Sequence, residues 1–298
     1  MPHDDGRVLL TVAGRRLDAL IDGPAGAPAL VFHSGTPSAA LPFRPLTEAA
    51  AAHGLRLVTW CRPGYGGSDA SPGRTVADVA SDAAAVLDAL AIDEFVSLGW
   101  SGGGPHALAC AALLPDRCRA ASTIAGVAPY PADGLDWMAG MGEENVEEFS
   151  LAIRGEDALT PYLEEQSLVM GRVTGADVSG SLAGLVSPID RASLTGEFAD
   201  YLAASFRGAV SQGVAGWRED DLAFTRDWGF RVSDIDRPVA VWQGDRDLMV
   251  PPSHGQWLAG HVPNVRAHMH PDEGHLSLAI GALDRIVADL VDLGWPGS

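Results

Sequence analysis

Apolar residues in this chain follow two alternating rhythms: short dense runs, and longer stretches with a single apolar face. Arg7–Val12 and Leu17–Ile21, joined across Ala13-Gly14-Arg15, predict an N-terminal hairpin. Pro28–His33 and Leu55–Trp60 are short apolar runs of the kind that form strands buried on both faces, with a helical segment at Leu46–His53 between them. Val76–Leu90 sets Ala, Val and Leu at i, i+3, i+4 spacing and aspartates on the other side, which predicts an amphipathic helix. A strand at Glu94–Leu98 follows, then an Ala/Leu-rich helix from Pro105 to Leu114 stopped by Pro115, and a strand at Ala120–Val127. Strands and helices alternating over residues 28–128 imply a parallel sheet with helices on both faces, an α/β fold.

From about Ala128 to Arg237 the strand rhythm disappears. Acidic amphipathic runs such as Asn145–Ala152 and Ala158–Leu168, with several glycines, predict a mostly helical insertion. The alternation resumes with a strand at Pro238–Gln243, a helix from Ser253, a strand at Val265–His270 and a terminal helix at Leu276–Leu293. The organisation expected is a core of residues 1–127 and 238–298, with residues 128–237 inserted as a helical cap. Every catalytic candidate lies outside the insertion, so the cap is expected to choose substrates and leave the reacting groups alone.

The 298 residues, 47% hydrophobic and 20% charged, suit one large globular core. A net charge of −19 argues against nucleic acid and anionic membrane surfaces as partners. No uninterrupted apolar stretch approaches a membrane span, and the N-terminus lacks the basic and apolar regions of a secretory signal. Cys61, Cys110 and Cys118 are too few and scattered for a disulfide framework or a metal knuckle, so they are expected as buried thiols in a cytoplasmic protein. The partner expected is a small-molecule substrate; the oligomeric state is not legible.

Candidate chemistry starts at Gly99-Trp100-Ser101-Gly102-Gly103, a G-x-S-x-G run between a strand and a helix. In that context the serine sits on a turn tight enough to demand small neighbours, with its hydroxyl presented beyond the sheet and the N-terminus of the next helix aimed at it. A serine hydroxyl needs a base within hydrogen-bond reach, and that base needs a carboxylate to hold it. Asp245 and Asp247 follow the Pro238–Gln243 strand, and His275 follows the last strand on the loop Asp272-Glu273-Gly274. His33, His53, His106 and His254 read as structural, and His268 and His270 lie inside a strand. The N–H of Gly102, directly after the serine, is one donor for a developing oxyanion, and the N–H of Thr36, in the loop after the strand ending at His33, is the other.

Together, the Gly35-Thr36-Pro37 loop, the Arg62-Pro63-Gly64-Tyr65-Gly66-Gly67-Ser68 segment, the turn at Ser101, Gly244-Asp245-Arg246-Asp247 with Val250-Pro251, and Gly274-His275 resemble the α/β-hydrolase superfamily. The resemblance spans nearly the whole chain apart from the insertion, which falls where that family carries a helical cap. It implies a mostly parallel eight-stranded sheet, a triad of Ser101, Asp247 and His275 in the family's chain order, and no cofactor or metal. The family spacing favours Asp247 over Asp245 as the acid. Arg62-Pro63-Gly64 is similar to a structural turn of the family, and the residue that braces the oxyanion loop is left open, because Ser34 stands where the family's loop motif begins with histidine.

Serine at position 101 implies an acyl-enzyme, whereas relatives with aspartate there open epoxides or remove halides. Cleavage of a carboxylic ester or lactone of a small, largely apolar substrate is the first expectation. An aminopeptidase resembling proline iminopeptidase, a C–C bond hydrolase, a perhydrolase and a ligand-sensing receptor are the alternatives. Among the cap glutamates, Glu143, Glu144, Glu147 and Glu148 suit a substrate amine if buried and a solvated helix face if not. Trp100, Trp137 and Phe206 are the candidates for the pocket wall.

Overall fold

The computed structural model describes residues 6–297. Eight strands form one sheet: β1 (Arg7–Val12), β2 (Arg15–Asp22), β3 (Ala29–His33), β4 (Arg56–Trp60), β5 (Phe95–Trp100), β6 (Cys118–Ile124), β7 (Val239–Gly244) and β8 (Val265–His270). Their spatial order is β1-β2-β4-β3-β5-β6-β7-β8. β2 pairs antiparallel with β1 and β4, and every pairing from β4 to β8 is parallel. The helices are α1 (Arg44–Ala52), α2 (Asp78–Ala89), α3 (Gly104–Leu113), α4 (Glu143–Arg154), α5 (Glu156–Met170), α6 (Val178–Ser181), α7 (Pro188–Ser193), α8 (Gly196–Ala209), α9 (Ala215–Phe224), α10 (Pro252–His261), α11 (His275–Gly281) and α12 (Leu283–Gly294).

The two faces of the sheet follow from strand alternation. On β3, Val31 packs into the core that also takes Val79, Val86 and Leu108, so α2 and α3 cover that face. Leu30 and Phe32 point the other way, into the core that takes Leu46, Ile286 and Leu290, so α1 and α12 cover the second face. The central strands are buried on both sides, which is why they read as unbroken apolar runs.

The order of strands reverses between β3 and β5. After β3 the chain moves outward to β4, then returns across the sheet to β5. At such a point the loops leaving two neighbouring strands diverge and open a crevice beyond their carboxyl ends. The loops after β3 and β5 meet there, and α4–α9 cover it. Two expected elements shift. β6 runs from Cys118 to Ile124 because Ala125 takes a left-handed φ of 50° that ends the strand. The terminal helix is two, α11 and α12, broken at Ala282 after Gly281. All three cysteines are free and buried. No helix among the described residues is long and apolar enough to cross a membrane.

Candidate active site

β5 delivers Ser101 to the crevice. Its φ of 56° is a left-handed conformation that costs a non-glycine residue on the order of 1–3 kcal/mol and persists where the surrounding fold imposes it. The glycine two residues on makes the turn possible, since a Cβ at Gly103 would lie 2.0 Å from the carbonyl oxygen of His33. α3 then starts at Gly104, so its free N–H end lies beside the serine.

His275 opens α11 and is 2% exposed. Its Nδ1 donates to Asp247 Oδ2 at 2.8 Å, which leaves Nε2 unprotonated in the neutral ring and able to accept a proton. Asp247 is held from both sides. Its Oδ1 accepts from the N–H groups of Met249 and Val250, each at 2.8 Å, and Gln243 Nε2 reaches Oδ2 at 3.3 Å. Asp245 is spent elsewhere, accepting from the Asp272 N–H at 2.8 Å. Burial opposes a charge on His275, but the charge of Asp247, its hydrogen bond and the charge of Asp190 outweigh it, and the His275 pKa rises above its ordinary value.

Thr36 and Gly102 face each other across the switch point: a Cβ built on Gly102 would come within 2.5 Å of Thr36 Oγ1. Arg62 braces this loop. Its guanidinium donates to the carbonyls of Ser34 (2.6 Å) and Gly35 (2.9 Å) and to Thr36 Oγ1 (2.9 Å). The cap completes the brace through Asp220, a fully buried carboxylate on α9. Asp220 accepts from Arg62 and Arg74 at 2.6 Å each, from Thr36 Oγ1 at 2.7 Å and from Tyr65 Oη at 2.9 Å. Burial works against its charge, yet the two guanidiniums dominate and hold its pKa well below the carboxylate range. His106, buried 3.7 Å from Asp220, is kept neutral, with its pKa lowered to about 4.

A second cap residue reaches the histidine. Asp190, on α7 and fully buried, accepts from the N–H groups of His275 (3.2 Å), Leu276 (2.7 Å) and Ser277 (3.0 Å), and from Ser187 Oγ at 2.7 Å. It therefore caps the helix that carries His275, a negative charge at the positive end of that helix. The seat is close: a Cβ at Gly274 would lie 2.2 Å from Asp190 Oδ2. The catalytic candidates all lie outside the cap, as read from the sequence, but Asp190 and Asp220 reach from the cap to both halves of the site. Sequence reading missed both. Ser187-Pro188-Ile189-Asp190 carries a helix-start signature, which announces a local cap but not a partner 85 residues away.

Ser101, His275, Thr36 and Gly102 line one cavity of about 130 Å³. Trp100 and Phe206 are on its wall. Trp137 is not: it is 3% exposed, donates to the Ala128 carbonyl at 2.7 Å and packs edge-on against Phe149 and His254, behind the lining. The four glutamates divide by helical phase. Glu144 and Glu148, four residues apart on α4, line the cavity, whereas Glu143 and Glu147 do not. Among the described residues no group of three His, Cys, Asp or Glu is arranged to hold a metal.

A family model described as alpha/beta hydrolase fold matches residues 28–282. A pimeloyl-acyl-carrier-protein methyl ester esterase of Xanthomonas axonopodis pv. citri is 30% identical over 280 residues, covering 91% of this chain and 99% of its own. Epoxide hydrolase B of Mycobacterium tuberculosis is 25% identical over 215 residues, 69% of this chain but 57% of that protein's length. Among solved structures, an alpha/beta hydrolase fold protein from Nakamurella multipartita superposes with a TM-score of 0.65 at 25% identity, covering 97% of this chain and 99% of that one.

Proposed function

The chain belongs to the alpha/beta hydrolase fold family, and from the geometry beneath its cap we propose that it is a serine hydrolase cleaving a carboxylic ester or lactone through an acyl-enzyme on Ser101. The observation that carries this reading is the His275–Asp247 pair at 2.8 Å, opening onto the same cavity as a serine on a strained turn. In the mechanism, Ser101 Oγ attacks the substrate carbonyl as His275 Nε2 takes its proton. Asp247 holds the ring and stabilises the imidazolium. The N–H groups of Thr36 and Gly102 receive the oxyanion, a contribution of ~3–4 kcal/mol for one such donor. The imidazolium then protonates the leaving alcohol, and a water activated by the same histidine releases the acid.

The esterase relative supports this chemistry. The epoxide hydrolase relative does not transfer its own activity: the family resemblance ties epoxide opening to an aspartate at this turn, and position 101 holds a serine. A fluorophosphonate should add its mass to the single peptide that contains Ser101, and Ser101→Ala should lower kcat on the order of 10⁴-fold or more. Labelling elsewhere, or none in a preparation that turns over esters, refutes the assignment.

A further inference from the structure

A second, smaller chamber of about 10 Å³ shares no lining residue with the substrate cavity and gathers Arg15, Arg62 and Arg74 around the ring of His106. The arginines arrive from the start of β2, the segment after β4 and the loop before α2, and His106 from α3. Three of the 20 fixed cations in a chain of net charge −19 thus converge on one small space. Their donors are not all used. Arg15 Nη2 donates to Asp82 at 2.6 Å, but Arg15 Nη1 is buried with no acceptor among the described residues. Arg74, 7% exposed, gives its Nη2 to Asp220 (2.6 Å) and to the Gly216 carbonyl (3.1 Å), yet its Nε is buried without an acceptor. A buried guanidinium N–H without an acceptor carries a penalty that folds ordinarily remove.

The charges do not balance either. Asp220 is one carboxylate shared by two arginines, Arg62 and Arg74, and Asp82 is one carboxylate for Arg15. The other acids of this neighbourhood are spent or neutral. Asp78, at the exposed rim, accepts from the Thr75 N–H and hydroxyl. Glu219 pairs with Arg218. Burial and the charge of Glu148 lift the Asp221 pKa well above the carboxylate range, so that acid keeps its proton. His106 stays neutral, its Nε2 3.7 Å from Asp220. One guanidinium charge of the cluster therefore has no carboxylate of its own.

We propose that this chamber binds one small monovalent anion of the chloride class, seated between Arg15 and Arg74 over the ring of His106. Size and chemistry both select it. The chamber has room for a single water-sized species, which excludes carboxylates, phosphates and sulfate. A halide is an acceptor only, so it takes N–H donors from both guanidiniums and supplies the charge they lack. The half-buried Ser71 and Thr75 stand at the rim, so the anion enters from solvent without any movement of the cap. Its place also gives it a task. With its charge matched, Arg74 stays on Asp220, and Asp220 is the carboxylate that seats Arg62 against the carbonyls of the oxyanion loop.

Crystals of the protein soaked in sodium bromide should show an anomalous difference peak in this chamber, beside Arg74 Nε and Arg15 Nη1. In solution, replacing sodium gluconate by sodium chloride at constant ionic strength should raise Tm along a saturating curve, by about 4 °C with chloride at ~100 times its Kd. Arg15→Gln should move the midpoint of that curve to chloride concentrations about tenfold higher or more. The two wild-type measurements need neither a folded variant nor turnover, so they stand apart from the acyl-enzyme reading. Water alone in the chamber of bromide-soaked crystals, a wild-type Tm indifferent to the exchange of gluconate for chloride, or an unmoved midpoint in folded Arg15→Gln overturns the site.

Discussion

Replacing Asp190 by alanine would strip the acceptor from three backbone N–H groups at the start of α11 and from the Ser187 hydroxyl. Each buried donor left unsatisfied costs ~1–3 kcal/mol, so the loss is roughly 3–6 kcal/mol once water reaches some of them. That is a large share of the ~5–15 kcal/mol available to a typical domain, and Asp190→Ala should unfold at much lower denaturant. Asp190→Asn is the more informative change. It keeps Oδ1 for Leu276 and Ser277, removes the charge, and sets an amide in place of Oδ2 against the His275 N–H, costing ~1–3 kcal/mol. The sign of the pH effect follows from the cause of the shift. The negative charge of Asp190 helps to raise the His275 pKa, and catalysis needs the neutral ring, so the acid limb of kcat/KM in wild type lies above the ordinary imidazole value. Asp190→Asn should move that limb to lower pH, and the variant should retain a larger fraction of its maximal activity in mild acid. A pH–rate series of both proteins on one ester, with urea unfolding alongside, measures both effects. An acid limb that stays put or moves upward, in a variant of unchanged stability, would refute the view that this cap carboxylate positions and polarises His275.

Arg62→Lys should lower kcat by roughly 10²–10³ with a smaller change in KM, because one ammonium cannot serve Ser34, Gly35, Thr36 and Asp220 together and the oxyanion loop loses its brace; steady-state kinetics decide, and an unaltered kcat contradicts the role. Phe206→Ala should widen the preferred acyl size with Ser101 still labelled, whereas Trp137→Ala, behind the wall, should cost ~3–5 kcal/mol of stability and leave the ranking of esters alone. His106 and His254 are buried with pKa values near 4, so the unfolded chain binds protons that the folded one does not between there and the ordinary 6.5. Stability from each is full above about 6.5 and falls by ~1.4 kcal/mol per pH unit on acidification towards 4, which urea titrations at stepped pH will measure.

The strands and the Ser101 turn were legible because their signals are local: dense apolar runs, and glycines where a side chain would strike backbone. Asp247 and His275 were candidates because each lies on the loop after a strand, and the resemblance to the hydrolase family, through its spacing and chain order, preferred Asp247 to Asp245. What escaped depends on contacts between remote segments. Asp190 and Asp220 look like ordinary helix acids until the fold sets one against the N-terminus of α11 and the other between two arginines. The glutamates of α4 show the boundary well. Helical phase pairs Glu144 with Glu148 and separates them from Glu143 and Glu147, yet periodicity alone does not reveal which pair turns inward. Trp137 was misplaced for a related reason: an aromatic in a cap has two apolar destinations, and the choice belongs to packing.

The lashing of Asp220 to Arg62 and of Asp190 to the start of α11 bears on how this scaffold can be remodelled. A cap grafted from another hydrolase would bring its own pocket but would abandon a buried guanidinium on one side and three bare N–H groups on the other. Both wounds would open beside Ser101 and His275 rather than at the seam of the graft. Chimeras at this locus should therefore keep α7 and α9, or at least the two aspartates and the turns that aim them, and vary the pocket through α4, α5 and α8.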